Sequence, residues 1–197
     1  MSTVHLILQG KGGVGKSFIA ALLAQYLQEK SVAVRCFDAD PVNSTLAGFP
    51  ALQTTKLDLI ESSDKGRRIN PRRFDDLVEH IASQPAAAHM IVDTGSSAFV
   101  PLLHYVVSNE VPAVLSQGGH ELVVHTVVTG GQALLDTLDG AVKLISQLDD
   151  TPFVIWLNPF WGAVADKSKT LNRCGPTRRS GAGSFDDSHS HLGSCGS

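Results

Sequence analysis

The chain has 197 residues, of which 43% are hydrophobic and 18% are charged, so it has the composition of one globular domain with a sizeable core. A formal net charge of −3 gives no electrostatic reason to expect direct nucleic-acid binding. Three cysteines without close spacing argue against a disulfide framework or a zinc knuckle. The sequence shows no signal peptide, lipidation motif or membrane-spanning run, so we expect a cytoplasmic protein.

The first predicted elements are a buried strand at residues 4–8 and a helix at residues 17–28, joined by a glycine-rich loop. The loop reads GKGGVGKS from Gly10 to Ser17, a pattern in which backbone N–H groups wrap the phosphates of a nucleotide. In this pattern Lys16 reaches the β- and γ-phosphates and the Ser17 hydroxyl binds Mg²⁺. We therefore predict a nucleoside triphosphate site at the start of the helix, where the helix dipole favours a phosphate. The residues predicted to contact the nucleotide here are Gly12, Gly13, Val14, Gly15, Lys16, Ser17 and Phe18.

The same loop also fits the dinucleotide pattern Gly-x-Gly-x-x-Gly through Gly10, Gly12 and Gly15. Asp38, at the end of the next strand, lies about where a ribose-binding acid would be expected. The triphosphate interpretation is favoured because a pyrophosphate site has no use for a Lys-Ser pair at the start of the helix, whereas a triphosphate with Mg²⁺ needs both.

The next two buried strands are predicted at residues 33–37 and 89–92, and each ends in an aspartate. The carboxyl ends of parallel strands meet at one edge of a sheet, so we expect these carboxylates to lie beside the glycine-rich loop. Asp93 is predicted to contact Mg²⁺ directly or through water, and Asp38 to act as an outer-shell Mg²⁺ group.

Two further residues at the same edge are predicted to serve the reaction. Asp40 would orient the attacking water or act as its base, although an Asp-Pro turn with Pro41 would also account for it. Gly95 would let a backbone N–H approach the γ-phosphate, although an apolar strand followed by a simple turn has the same pattern.

The remaining pattern alternates strands and helices without an early hairpin signal, which predicts an α/β fold with a mostly parallel sheet covered by helices on both faces. The further helices are predicted at residues 74–81, 99–107 and 132–148, and the further strands at residues 112–115, 122–129 and 153–157.

Two features of the second half are assigned no chemistry. His120, Glu121 and His125 lie in or beside a predicted strand, where a spacing of five puts the two histidines on opposite faces, so we expect structural or partner-contact roles rather than a metal site. From about Lys167 the chain is rich in serine and glycine. We therefore expect a nucleotide-binding domain at residues 1–166 and a disordered polar tail at 167–197.

Residues 11–17 resemble the deviant Walker A box of the ParA/MinD class of P-loop ATPases. Residues 37–41 resemble the switch I of that class, and residues 91–95 resemble its Walker B and switch II segment. Within the class, residues 8–20, 120–137 and 156–159 together resemble the TraL family, ATPase-like proteins encoded with plasmid conjugative-transfer genes.

The resemblance implies an ATP-binding switch that forms a homodimer on ATP and engages a protein partner in a DNA-transfer apparatus. It implies that Lys11 crosses the dimer to touch the partner's ATP, that Asp40 is the catalytic acid and that Asp93 is the Walker B acid. Asn158 matches the position that reads the adenine base, although an Asn-Pro turn would also explain it.

Two other functions stay open beside this resemblance, and the chain departs from the class at one point. The chain could be a nucleotide-binding regulatory module with little or no turnover. It could also be an ATP-dependent ligase, for which Ser96 and Ser97 are the nearby polar candidates. The class continues past Asn158 with further elements, whereas here the polar tail replaces them. A reading-frame change or truncation near Lys167 would explain this, so we expect C-terminal elements of the fold to be missing.

Overall fold

The computed structural model describes residues 2–63, 66–70, 72–84 and 88–164. The strands are β1 (Ser2–Ile7), β2 (Val34–Ala39), β3 (Thr55–Lys56), β4 (Ile60–Ser63), β5 (Gly66–Ile69), β6 (His89–Thr94), β7 (His120–Thr129) and β8 (Phe153–Asn158). The α-helices are α1 (Lys16–Glu29), α2 (Arg73–Ala82), α3 (Phe99–Ser108), α4 (Val111–Gln117) and α5 (Leu134–Gln147). Short 3₁₀ turns lie at Leu46–Gly48, Pro50–Leu52, Ser96–Ala98, Gly131–Ala133 and Pro159–Trp161.

Six strands form one sheet in the order β3-β2-β6-β1-β7-β8, and every neighbouring pair is parallel. The first strand lies inside the sheet, with Leu6 beside Val92 of β6 on one side and Val124 of β7 on the other. Strands buried in this way need apolar side chains on both faces, which is why they read as nearly continuous apolar runs. The carboxyl ends of β1, β2 and β6 therefore meet at one edge, as predicted.

Helices cover both faces of the sheet. On one face, Leu6 belongs to a large core that includes Phe74 of α2, Leu102 of α3, Leu115 of α4 and Leu144 of α5. Burying a side chain of this size contributes about 1.5–3 kcal/mol. On the other face, Ile7 of β1 packs in a smaller core under the alanines of α1. These two layers confirm the predicted α/β fold.

Two details of the prediction are wrong. Residues 112–115 were expected to form a strand but lie within α4, whose Val111 and Leu115 are one helical turn apart and are buried in the core that α3 also enters. Pro112 is tolerated because the first turn of a helix does not use its N–H group. The early part of the chain also contains an antiparallel hairpin, formed by β4 and β5, although no hairpin was predicted there.

The predicted tail at 167–197 lies outside the described residues. Among the residues that are described, no single helix is long and apolar enough to cross a membrane. The bent pair 96–108 and 111–117 meets the requirement by length and composition alone.

Candidate nucleotide-binding site

The glycine-rich loop connects the carboxyl end of β1 to the amino end of α1. Gly13 and Gly15 have φ values of +72° and +101°, in the left-handed region that side chains disfavour, so the loop needs glycine at both positions. Gly15 caps α1 without a side-chain hydrogen bond. The first N–H groups of a helix have no partner within it, so those of α1 are directed at the space that the loop encloses.

Lys16 is the cation of this site. Its side chain is only 7% exposed, and its ammonium group donates a hydrogen bond to the Lys11 carbonyl oxygen at 3.2 Å. Burial lowers the pKa of Lys16 from its usual range, and the Asp93 and Asp40 carboxylates act in the opposite direction. A buried ammonium group with one neutral acceptor is suited to receive phosphate oxygens as its further partners.

Asp93 is the anion of the site. Its side chain is fully buried, and neither carboxyl oxygen has a hydrogen-bond partner among the described residues. Burial raises the pKa of Asp93 to about 6, and nearby Asp38 and Asp40 add to the rise. The Ser17 hydroxyl, which faces the carboxyl group without reaching full hydrogen-bond geometry, and Lys16 oppose it. Buried polar atoms are rarely left without partners, so the two unpaired oxygens of Asp93 indicate a site for a bound ligand.

The residues beside Asp93 fit Mg²⁺ as that partner. A carboxylate and a hydroxyl on a phosphate-binding loop are the donor set that holds Mg²⁺ with its remaining waters and substrate phosphates. Within the described part of the chain, no three His, Cys, Asp or Glu side chains are placed to hold a metal ion by themselves. The ion would therefore depend on Ser17, Asp93, water and the nucleotide.

Asp38 and Asp40 shape the loop that follows β2. Asp38 is buried beside Asp93 in the sheet register, and its two oxygens accept hydrogen bonds from the N–H groups of Asp40 at 3.1 Å and Ala47 at 3.0 Å. Asp40 accepts hydrogen bonds from Val42 N–H at 2.8 Å and from Asn43 N–H at 3.1 Å. Both carboxylates thus hold turns here. Their roles toward Mg²⁺ and water stay predictions.

Gly95 brings the loops after β2 and β6 into contact. A Cβ atom on Gly95 would lie 2.5 Å from Asp40 Oδ1, closer than real Cβ atoms approach such atoms, and 3.1 Å from Pro41 Cδ, a tight contact. The backbone at residue 95 can therefore lie this close to Asp40 only because residue 95 has no side chain.

Lys11 and Asn158 complete the set of predicted residues. Lys11 is half exposed and forms a 2.6 Å ion pair with Asp136 of α5. Asn158, at the end of β8, donates a hydrogen bond to the Val14 carbonyl oxygen at 2.9 Å and accepts one from Phe160 N–H at 3.1 Å. Its amide therefore supports the phosphate-binding loop and forms the alternative Asn-Pro turn, while its contact with adenine stays a prediction.

With this geometry established, comparison with known proteins identifies the class. Residues 5–170 match the model of the CobQ/CobB/MinD/ParA nucleotide binding domain. The chain belongs to this family. A protein named TraL from Escherichia coli is 51% identical over 174 residues, which cover 88% of this chain and 70% of that protein. The resemblance stated from the sequence motifs is confirmed.

Two solved structures share the fold of this MinD/ParA-type domain. A plasmid partition protein from Borrelia burgdorferi superposes with a TM-score of 0.55 at 17% identity, covering 88% of this chain and 87% of that one. The MinC:MinD cell division complex of Aquifex aeolicus gives a TM-score of 0.52 at 15% identity, covering 86% of this chain and 78% of that one. At these identities the likeness supports the P-loop fold alone.

Sequence analysis missed Gln9, which holds the start of the loop of this MinD/ParA-type domain. Its side chain is fully buried; its oxygen accepts a hydrogen bond from Gly10 N–H at 2.8 Å. Its nitrogen donates to the carbonyl oxygens of Val127 at 2.9 Å and Thr137 at 3.0 Å, and contacts the Thr126 hydroxyl at 3.2 Å. A buried glutamine between an apolar strand and a glycine-rich loop was the available signal.

Proposed function

We propose that this protein is a Mg²⁺-dependent ATP-binding and ATP-hydrolysing switch of the cytoplasm that dimerises on ATP and serves plasmid transfer or partition. The observation that carries the proposal is the Asp93 carboxylate, which is fully buried beside Ser17 and Lys16 with both oxygens unpaired. The family match and the similarity to TraL over most of the chain support the nucleotide and the plasmid context.

Each residue of the site has a task in this proposal. The N–H groups at the start of α1 and the Lys16 ammonium group hold the phosphates. The Ser17 hydroxyl and Asp93 hold Mg²⁺, which when bound neutralises the charge that develops on the transferred phosphoryl group. Asp40, once released from its turn, accepts a hydrogen bond from the attacking water and fixes its orientation.

Lys11 provides the link between nucleotide and dimer. Its partner in the structure is Asp136, and both side chains are about half exposed, with 46% and 58% of their surface accessible. An exposed ion pair is worth about 0–1 kcal/mol, so exchange of Asp136 for a phosphate group of a second protomer requires little energy. We propose that ATP on the facing subunit draws Lys11 from Asp136 and so joins the two protomers.

Calorimetric titration with ATP, in Mg²⁺ and in EDTA, tests the metal site. The wild type should bind Mg·ATP more tightly than free ATP, and Asp93→Asn should lose most of that difference, because the neutral amide no longer attracts the ion. Asp139→Asn, an exposed acid on α5, is the matched control. Equal affinities with and without Mg²⁺ in the wild type would contradict the proposal.

Sedimentation velocity tests the dimer. The wild type should change from monomer to dimer when Mg·ATP is added, and Lys11→Ala should remain monomeric while still binding ATP. Lys30→Ala, which removes an exposed lysine just after α1, is the control that should dimerise normally. A wild type that stays monomeric at saturating Mg·ATP would refute the dimer.

The engagement of Asp40 in its turn favours a second candidate function, a nucleotide-binding regulatory module with little or no turnover. In that case the carboxylate would keep its two backbone partners in the bound state and leave the water without an orienting group. Single-turnover measurement of phosphate release separates the two functions, because bound ATP that yields no phosphate over hours supports the module.

A further inference from the structure

Four ring side chains form a hydrogen-bonded row across four adjacent strands, on the sheet face that α1 covers. The row begins at Trp156 of β8 and continues through His125 of β7 and His5 of β1 to His89 of β6. The Trp156 indole N–H donates to His125 Nδ1 at 3.0 Å. His125 Nε2 lies 2.9 Å from His5 Nδ1, and His5 Nε2 lies 2.8 Å from His89 Nδ1. None of the four rings is among the residues assigned to the nucleotide.

The direction of every bond in this row follows from Trp156. An indole N–H can only donate, so His125 Nδ1 must accept and the proton of that ring must be on Nε2. This Nε2–H donates to His5 Nδ1, which in turn places the proton of His5 on Nε2, facing His89 Nδ1. All three bonds form together only when each ring is neutral with its proton on Nε2, because an added proton would set two donors against each other.

Burial supports the same protonation state. His5 and His125 are 8% and 3% exposed. Burial lowers the pKa of His5 to about 3, with repulsion from His125 and His89 contributing, and lowers the pKa of His125 to about 4. The two inner rings are therefore neutral at neutral pH, as their hydrogen bonds in the row require.

One end of the row touches the phosphate-binding loop. The Trp156 ring packs against a buried cluster formed by Val14 of the loop, Ile19 of α1 and Val127 of β7. Two residues further along β8, the Asn158 amide donates to the Val14 carbonyl oxygen. Strand β8 thus contacts Val14 at two points. Trp156 packs against the Val14 side chain, and Asn158 binds the Val14 carbonyl group.

We propose that Trp156 is a positioning residue for the phosphate-binding loop and that its hydrogen bond to His125 of this row fixes the orientation of its ring. This inference rests on the proposed nucleotide site, but it concerns the loop itself and applies before any nucleotide is bound. The indole is only partly buried, and its apolar packing on the Val14 cluster is less directional than a hydrogen bond. The Nε1–H bond to His125 supplies that direction.

The test compares variants that remove or replace one partner of the Trp156–His125 bond. Trp156→Phe keeps an aromatic ring without the donor, and His125→Leu fills the space without an acceptor. His125→Asn keeps an acceptor oxygen near the position of Nδ1. Amide hydrogen exchange of residues 12–17 without nucleotide is the first measurement, and calorimetric affinity for Mg·ATP is the second. Circular dichroism establishes that each variant is folded.

Trp156→Phe and His125→Leu should accelerate exchange in the loop and weaken Mg·ATP binding by about two- to tenfold, the range expected for one hydrogen bond. His125→Asn should restore both toward wild type. His120→Gln, which alters a histidine bonded to Ser2 on the opposite sheet face, should change neither. Wild-type exchange in Trp156→Phe, or an effect of His125→Asn as large as that of His125→Leu, would overturn the proposal.

The two measurements also separate this inference from the proposed function. If the wild type does not bind Mg·ATP, the proposed function fails, while the exchange comparison still decides whether Trp156 positions the loop. If His125→Leu does not fold, Trp156→Phe decides the outcome, because it removes the donor with the pyrrole part of the indole and leaves the three histidines in place.

Discussion

Acid should destabilise this protein as the pH falls from 6.5 toward 4, because two buried histidines resist protonation in the folded state. His5 and His125 have folded pKa values lowered to about 3 and about 4, from an ordinary value of 6.5, because their rings are buried. Between pH 6.5 and pH 4 the unfolded chain binds protons at these two rings and the folded chain does not. The free energy of unfolding therefore falls as the pH falls through this interval. The contribution of the neutral rings to the free energy of unfolding is full above pH 6.5. It is lost progressively as the pH falls from 6.5 toward the folded pKa values.

The size of the effect follows from linkage. Lowering the pH from 7 to 5 should reduce the free energy of unfolding by about 2 kcal/mol for each of the two rings. Asp93 acts in the opposite sense, because its folded pKa is raised to about 6 and the folded state then gains a proton. That gain offsets about 1 kcal/mol over the same interval. The net loss of about 2–3 kcal/mol is a large fraction of a typical domain's stability.

Urea denaturation at pH 7 and pH 5, followed by circular dichroism, measures this loss. The result at pH 5 depends mainly on the unfolded pKa, because both rings are neutral in the folded state whether their pKa values are 3 or 4. Asp93→Asn removes the offset and should enlarge the loss by about 1 kcal/mol, whereas His125→Asn should shrink it by about 2 kcal/mol. Equal or greater stability of the wild type at pH 5 would refute the reasoning.

Three other substitutions have defined outcomes. Asp136→Ala should leave the melting temperature nearly unchanged, because the pair is exposed. It should also lower the ATP concentration needed for dimers in sedimentation velocity, and an unchanged requirement would count against the Lys11 exchange. Gly95→Ala should slow phosphate release at least about tenfold by displacing Asp40, whereas Gly48→Ala, where a Cβ meets nothing within 4 Å, should not. Gln9→Leu should lower the free energy of unfolding by about 2–4 kcal/mol in urea denaturation, because it leaves buried backbone groups unpaired; a loss below 1 kcal/mol would contradict that.

The fold and the main elements of the site could be predicted because their signals are local. The glycine-rich loop carries its pattern within eight residues, and its position between an apolar strand and a helix fixes the geometry around Gly15 and Lys16. Asp38 and Asp93 were placed at one edge because each directly follows an apolar run, and parallel strands bring such ends together. The residues 112–115 were misassigned because a short apolar run has no period long enough to separate a strand from a helical turn.

The supporting residues could not be predicted because their partners are distant in sequence. Gln9 bonds to groups more than 110 positions away, and the ion pair of Lys11 spans 125 positions. His5 and His125 meet only through the register of β1 against β7, in which His5 lies opposite Val123. No spacing rule within the sequence specifies such a register, so their contacts appear only in the folded sheet.

Calorimetric titration of Mg·ATP into the wild type and Lys16→Ala tests the central claim most directly. Lys16 is the buried cation of the loop, and its removal should abolish measurable binding while the wild type releases heat on a one-to-one isotherm. Equal uptake of Mg·ATP by the two proteins, or none by either, would contradict a phosphate-binding loop at residues 10–17.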